Sequence, residues 1–172
     1  MPEVAFIAPT LRVLDDLPGD LVIVSAFSDE RPLQGMTGLL DWRLCGALSR
    51  WRLGGFSTGA LGERVLYPAG VRLSHPRVLL MGLGERAQYR VDRAMQVVDS
   101  AFNAAEDLGA TRVSSTIFHL DSIASPLRRT GSKLIDRIQA ATSLERVHLI
   151  TDEETEATIR DGRTLFTSIA GH

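Results

Sequence analysis

One almost unbroken apolar segment, residues 21–27, restricts the fold of this chain more than any other feature. It reads Leu-Val-Ile-Val-Ser-Ala-Phe, with three β-branched residues in succession. A strand that is covered on both faces of a parallel or mixed sheet has this character, because neither face carries alternating polar side chains. Shorter apolar runs lie at residues 65–67, 78–84, 113–118 and 147–150. The sequence therefore predicts a sheet assembled from these segments.

Amphipathic segments alternate with the predicted strands. A one-sided apolar stripe covers residues 91–108, and a similar stripe over residues 40–51 predicts one continuous helix. Ser125 and Pro126 are typical of an N-cap followed by a first-turn proline. Residues 151–154, Thr-Asp-Glu-Glu, predict a capping box at the start of a last helix.

The order of these segments predicts the fold class. With residues 11–14 as a first strand the order is β-β-α-β-β-α-β-α-β-α, and residues 4–7 are a candidate for one more strand. Strands that alternate with helices from residue 77 onward imply parallel neighbours, whereas the early strand pairs imply an antiparallel edge. We therefore expect an α/β fold with a mixed, mostly parallel sheet and helices on both faces. No linker divides the chain, so residues 1–172 are expected to form a single domain.

Composition and charge exclude several classes of partner. The 172 residues are enough to bury a core, and 19 basic against 21 acidic residues give a net charge of −2. Because no basic field exists, we expect neither nucleic acid nor a membrane as a partner. Without a targeting segment or a run of bilayer length, a cytoplasmic location is expected. The single cysteine, Cys45, excludes a disulfide framework and is predicted to be a buried structural thiol.

Ligands of open α/β sheets bind beyond the carboxyl ends of the strands. The loops predicted to gather there are residues 28–38, 82–86, 119–122 and 151–154. The loop at residues 28–38 has the most features suited to a ligand. Its two glycines ahead of a helix let backbone N–H groups approach an anion, and Arg31 could clamp a phosphate or carboxylate. The alternative is a solvated loop whose glycines only turn the chain. The candidate ligand-binding residues are Asp29, Arg31, Gly35, Gly38, Gly82 and Gly84.

Other candidate sites carry weaker signals. Gly82 and Gly84 resemble the start of a dinucleotide fingerprint, with Ala87 as a permitted third residue. No strand-end acid follows at the expected distance and the helical pattern begins only near Val91, so a Rossmann site is not expected. His119 and Asp121 at a strand end could form a base and its orienting acid, with a hydrogen-bonded surface pair as the alternative. No histidine or carboxylate spacing predicts a metal site, and we expect no cofactor.

Two tryptophans raise the question of a contact surface. Trp42 lies off the apolar stripe of the predicted helix at residues 40–51, and Trp51 lies at its end. Exposure of both side chains would indicate a surface that contacts another chain. We expect burial of Trp42 within this domain instead.

Two stretches carry a family resemblance. Residues 27–35, Phe-Ser-Asp-Glu-Arg-Pro-Leu-Gln-Gly, and residues 38–49 resemble the N-terminal domain of the leucyl (cytosol) aminopeptidase family, and residues 78–84 before a long helix are similar too. The resemblance covers most of residues 20–150. It implies a macro-domain-like fold, a three-layer sandwich of helices on both faces of a mixed sheet.

The chain lacks the residues that bind metal and carry out catalysis in that family. The metal-binding Asn-Thr-Asp-Ala-Glu-Gly-Arg segment, the catalytic lysine and the remaining metal carboxylates do not occur in the sequence. No catalytic or metal-binding residue of the family can therefore be assigned to a position of this chain. The resemblance implies a domain that is not itself an enzyme.

Three functions follow as hypotheses. The first is a stand-alone, non-catalytic domain that binds a protein partner, such as an aminopeptidase catalytic subunit, or forms a homo-oligomer. The second is a macro-like module that binds a small anionic ligand of the nucleotide or ADP-ribose type, although the Asn-rich strand end of macro domains is replaced here by residues 25–29, Ser-Ala-Phe-Ser-Asp. The third is a small hydrolase that uses His119 and Asp121.

Overall fold

A single sheet organises the chain. The computed structural model describes residues 1–169, so the last three residues of the predicted domain lie outside the described part. The strands are β1 (Glu3–Ile7), β2 (Leu21–Ala26), β3 (Arg64–Pro68), β4 (Arg77–Gly82), β5 (Arg112–Thr116) and β6 (Arg146–Ile150). Their order is β1-β6-β5-β2-β4-β3, with every neighbouring pair parallel except β3 and β4. The predicted mixed, mostly parallel sheet is confirmed.

Helices cover both faces of this sheet. They are α1 (Leu11–Asp15), α2 (Gly35–Arg43), α3 (Ala47–Leu53), α4 (Val91–Asp107), α5 (Leu127–Gln139) and α6 (Glu153–Ile169). Successive residues of β2 alternate between two hydrophobic cores. Leu21 and Ile23 pack on the face covered by α4, α5 and α6, and Val22 and Val24 pack on the face covered by α1, α2 and α3. Burial on both faces is why residues 21–27 show no polar alternation.

The predicted helix over residues 40–51 is wrong in one respect, because it is two helices. Cys45 and Gly46 have φ angles of 57° and 76°, and this left-handed pair separates α2 from α3. The Asp41 carboxylate accepts the backbone N–H groups of Leu48 and Ser49 over 2.8 and 3.1 Å, which caps the new helix. Cys45 lies at this corner and is exposed, so the predicted buried thiol is wrong as well.

Three helix starts also differ from the predictions. Residues 11–15 form α1 instead of a strand, with Thr10 as an N-cap that accepts the Val13 N–H over 3.3 Å. Pro126 occupies the N-cap of α5 itself, since its ψ of 114° is not helical. At α6 the cap is Asp152, which accepts the Thr155 N–H over 2.8 Å, and not Thr151. The additional strand predicted at residues 4–7 is confirmed as β1.

The surface of the α2–α3 layer is partly apolar. Trp42 is 73% exposed, contrary to the predicted burial. Trp51 is half-buried and packs edge-on against Phe56 and Tyr67, with ring centroids 4.8 and 4.9 Å apart. None of the described helices combines the length and the hydrophobicity that crossing a bilayer requires. The cytoplasmic location stays a prediction.

Candidate functional site

A cleft of about 180 Å³ opens at the carboxyl ends of four adjacent parallel strands, β1, β6, β5 and β2. Pro9 follows β1, Ser25 belongs to β2, Asp121 lies beyond β5 and Asp152 lies beyond β6, and all four line the cleft. The N-terminal turn of α2 forms the remaining wall. Asp121 and Asp152 are exposed, so the cleft is open to solvent at their side. This is the edge at which the sequence places ligand-binding loops.

The first turn of α2 presents backbone donors to the cleft. Its first residue, Gly35, has a φ of +55°, and a Cβ built there would meet no atom within 4 Å. The N-cap residue Gln34 offers no side-chain acceptor to this turn. The first N–H groups of a helix have no intrahelical acceptor and carry its positive dipole end. The turn is therefore suited to an anion that approaches over Gly35.

The segment after β5 is turned by two left-handed residues. Phe118 and His119 both have a φ of 55°, which is costly for residues with a Cβ. The Tyr89 hydroxyl donates to the Phe118 carbonyl oxygen over 2.7 Å, and the Leu120 N–H donates to the Ile117 carbonyl oxygen over 3.1 Å. These bonds hold the turn, and His119 faces the cleft as a result.

Thr116, the last residue of β5, supplies an unpaired hydroxyl. Its Oγ1 atom is buried, lies in a residue that lines the cleft, and has no hydrogen-bond partner within the described part of the chain. Buried hydroxyls are almost always paired in folded proteins. Because neighbouring atoms cover this oxygen, a ligand in the cleft would reach it only after the lining residues shift.

The charges around the cleft are few. No arginine or lysine is among the described residues that line it; its titratable side chains are His119, Asp121 and Asp152. Burial lowers the pKa of His119; Glu30 and Asp121 oppose the shift and Arg86 adds to it, so the imidazole is neutral at pH 7. The Thr155 N–H lowers the pKa of Asp152, which is ionised. An anion would therefore be held by backbone N–H groups and not by a cationic side chain.

The His119 ring packs against a stack of side chains formed by Phe27, Tyr89 and Arg86. The Phe27 ring lies 5.0 Å from the His119 ring and 5.1 Å from the Tyr89 ring, centroid to centroid. The Arg86 guanidinium carbon lies 4.1 Å from the Phe27 centroid, and Arg86 Nη2 is 3.9 Å from Glu30 Oε2. These contacts limit the rotation of the Phe27 ring, against which the His119 ring packs. The plane of the imidazole at the cleft wall is thereby fixed.

Of the candidate ligand-binding residues, the structure places Gly35 in the cleft and the others elsewhere. Asp29 is exposed, and its carboxylate accepts the Arg86 N–H over 3.2 Å, which joins two neighbouring loops. Arg31 lines a different pocket, beside Pro32. Neither Asp29 nor Arg31 lines this cleft, so the expected clamp by Arg31 does not arise within it.

The other three glycines serve close packing of the backbone. A Cβ on Gly38 would lie 2.5 Å from the Leu33 carbonyl oxygen, and one on Gly82 would lie 2.0 Å from the Ala60 carbonyl oxygen. Gly84 has a φ of +73°, and its N–H donates to the Gly59 carbonyl oxygen over 2.9 Å. These contacts fix the loops beside the cleft, but the three glycines do not line it.

Sequence reasoning missed most of the cleft lining. Ile150 ends a predicted strand and Thr116 lies two residues before the end of another, so the strand-end rule could have selected them. Pro9 could not be found in this way, because nothing in the sequence indicates that β1 pairs with β6 across the length of the chain. His119 and Asp121 do come together at the cleft, but no hydrogen bond joins the two side chains.

The fold is shared with several solved structures. No protein-family model matches the sequence, and no curated protein matches it. The Trypanosoma brucei macrodomain in complex with ADP-ribose is similar with a TM-score of 0.70 and 17% identity, covering 92% of this chain and 68% of that one. The macrodomain of Thermus aquaticus DarG is similar with a TM-score of 0.66 and 10% identity, and the match covers 88% of this chain and 100% of that one.

The fold is macrodomain-like. A tomato leucine aminopeptidase mutant is also similar, with a TM-score of 0.65 and 18% identity, covering 95% of this chain but only 36% of that chain. The predicted macro-like sandwich is thereby confirmed. Identities this low show a shared fold and give no support to an origin within the aminopeptidase family. Among the described residues, no three His, Cys, Asp or Glu side chains gather as a metal site would require.

Proposed function

We propose that the protein binds a small ligand of the ADP-ribose type, a nucleoside joined through a diphosphate to a sugar, in the cleft. The observation that carries the proposal is the position of the α2 N-terminus, which has no side-chain cap and has open space over Gly35, at the carboxyl ends of parallel strands. The Trypanosoma brucei macrodomain, which shares the fold, was solved with ADP-ribose. The nucleotide-binding alternative is thus better supported than binding of an aminopeptidase partner.

The diphosphate would lie against the first turn of α2. The backbone N–H groups of Gly35, Met36 and Thr37 are donors of the kind that hold phosphates at helix N-termini. The missing Cβ of Gly35 leaves open space for a phosphate oxygen at the backbone. A neutral His119 adds a donor or an acceptor here without a charge.

The nucleoside end would lie along the β1–β6 side of the cleft. Pro9 and Ile150 supply apolar contacts for a base, and Met36 and Ile117 are further apolar residues of the lining. Apolar walls with a few polar positions are the usual composition of small-molecule sites. The carboxylate of Asp121 at the open side can accept hydroxyl groups of a ribose, whereas a phosphate beside it would be repelled.

The proposal is one of binding without turnover. His119 and Asp121 both line the cleft, but no hydrogen bond between them orients the imidazole as a base. Self-association and protein-partner binding stay predictions, for which the exposed Trp42 is a possible contact.

Amide chemical-shift mapping tests the location of the ligand. On addition of ADP-ribose we expect the largest shifts at Gly35, Met36, Thr37 and His119, with residues at the amino ends of the strands, such as Arg112, unaffected. AMP should perturb the β1–β6 side, and ribose 5-phosphate should perturb the α2 side. Shifts that map away from the cleft, or no shifts at all, would contradict the proposal.

A further inference from the structure

One buried carboxylate holds the loop that leads into α2. Glu30 is 4% exposed, and its two carboxylate oxygens accept the backbone N–H groups of Phe27 and Gln34 over 3.1 and 2.9 Å. Arg52 holds the same loop from α3, since its Nη2 donates to the carbonyl oxygens of Phe27 and Glu30 over 2.8 and 3.3 Å. Gln34, the N-cap residue of α2, is thereby placed by groups that do not belong to the helix.

The bond to Gln34 leaves the other donors at the start of α2 free. A helix begins with four N–H groups that have no acceptor within the helix, and the carboxylate takes the first of them. The N–H groups of Gly35, Met36 and Thr37 have no protein acceptor within the described part of the chain. The Gln34 side chain makes no bond to this turn either. Three backbone donors of cleft-lining residues are therefore left for a ligand.

Other helices of this chain close their first turn with a side chain. Thr10 precedes α1 with a φ of −130° and a ψ of 147°, and its hydroxyl accepts the Val13 N–H. Asp152 caps α6 in the same way, through the Thr155 N–H. Gln34 has a similar extended backbone, with a φ of −117° and a ψ of 170°, but glutamine is not among the preferred N-cap residues. A shorter polar side chain at this position would cap α2.

An open first turn lowers stability and favours anion binding. A capping side chain stabilises a helix, but it also occupies one of the donors that would otherwise hold an anion. No arginine or lysine is among the described residues that line the cleft. No cationic side chain of this lining could therefore replace a backbone donor that a cap had taken.

We propose that Gln34 is a positioning residue for the ligand, because it begins α2 without capping it. The donors of the first turn then stay free for a diphosphate, while Glu30 fixes the N-cap residue through a different N–H group. The inference rests on the proposed function, since it concerns the same cleft. It assigns to one residue the balance between helix stability and ligand affinity.

Gln34→Asn tests the inference with a single neutral change. Asparagine is a preferred N-cap residue, so its side chain is expected to accept the N–H of Met36 or Thr37 and to raise the Tm by about 2–4 °C. The same bond takes a donor from the ligand, so calorimetric titration should show ADP-ribose binding at least about tenfold more weakly than in wild type. Stability and affinity should change in opposite directions, which the loss of a structural contact would not produce.

Two further variants separate capping from other effects. Gln34→Ala removes the amide without adding a cap, so its Tm should not rise and it should bind ADP-ribose at least about fivefold more tightly than Gln34→Asn. Arg90 is the exposed N-cap residue of α4, and it too has an extended backbone and no side-chain cap. Because Arg90 does not line the cleft, Arg90→Asn should raise the Tm similarly and keep ADP-ribose affinity within about twofold of wild type.

The outcomes distinguish this inference from the proposed function. A Gln34→Asn protein that binds as tightly as wild type would overturn the inference and leave ADP-ribose binding itself intact. An equal loss of affinity in Gln34→Ala would overturn it too, because the glutamine amide would then contact the ligand directly. Absence of ADP-ribose binding in the wild type would overturn both.

Discussion

The Thr37 hydroxyl donates a hydrogen bond to the carbonyl oxygen of Ser25 over 2.8 Å. Both residues are buried and both line the cleft, one in the first turn of α2 and the other near the end of β2. The bond therefore fixes the distance between the donors of the helix N-terminus and the edge of the sheet. Cleft width depends on this contact.

Replacing Thr37 tests the contact. Thr37→Val keeps the shape but removes the donor and leaves the Ser25 carbonyl oxygen unpaired, so we expect a loss of about 1–2 kcal/mol in the free energy of unfolding. ADP-ribose affinity should fall, because the first turn of α2 is less firmly placed. Urea denaturation and calorimetric titration measure the two effects. Thr37→Ser retains the hydroxyl and should restore affinity; a Thr37→Val protein that binds as tightly as wild type would argue against this role.

A buried histidine makes stability depend on pH. His75 is fully buried, and its Nδ1 and Nε2 atoms lie 2.9 Å from the hydroxyls of Ser74 and Ser114. The Ser74 hydroxyl donates to the Leu14 carbonyl oxygen over 2.7 Å, so Nδ1 carries the proton and Nε2 accepts from Ser114. Burial lowers the pKa of His75 to about 4; the nearby His148 adds to the shift and Asp20 opposes it.

The sign of this dependence follows from the neutral folded form. Stability from His75 is fully present above its unfolded pKa of 6.5 and is lost as the pH falls from 6.5 to about 4, on the order of 3 kcal/mol in total. His75→Gln should be less stable at pH 7 and show a smaller slope in that window. The lowered pKa values of His119 and His148 leave a residual slope of the same sign. An unchanged slope in His75→Gln, measured by denaturation at several pH values, would contradict this assignment.

Arg86 acts on the protonation of His119. Its positive charge is one of the causes that lower the pKa of that imidazole, and it also lies over the Phe27 ring. Arg86→Gln should therefore raise the pKa of His119 toward 6.5, as NMR titration of the ring protons would show. Arg90→Gln removes an exposed arginine from the next turn of chain and should leave that pKa unchanged. A pKa that moves equally in both variants would point to a general charge effect.

The sheet was predictable from the sequence because its central strands are buried on both faces. Residues of β2 and β4 are apolar almost without interruption, and this signal does not depend on any distant contact. The apolar pattern of the sequence does not mark the break between α2 and α3. Leu40, Leu44 and Leu48 keep helical spacing across it and are all fully buried, so the apolar pattern continues where the backbone does not.

The cleft was predictable only in part. Gly35 was identified because a glycine ahead of a helix has a local meaning. Its charged neighbours Asp29 and Arg31 were grouped with it by proximity in sequence, yet their side chains reach an adjacent loop and a separate pocket. Thr116 comes from a strand far along the chain, and only the sheet order brings it beside α2.

Calorimetric titration of ADP-ribose into the wild type, Gly35→Ala and Gly109→Ala tests the central claim most directly. Both glycines have a positive φ and open space around a Cβ, so each substitution should cost about 1 kcal/mol of stability. Gly109 follows α4 at the amino end of β5, away from the cleft. We expect one site of micromolar or tighter affinity in wild type and Gly109→Ala, and a loss of at least about tenfold in Gly35→Ala, whose methyl group stands between the helix donors and the diphosphate. No binding by the wild type, or equal affinities in all three proteins, would contradict the account.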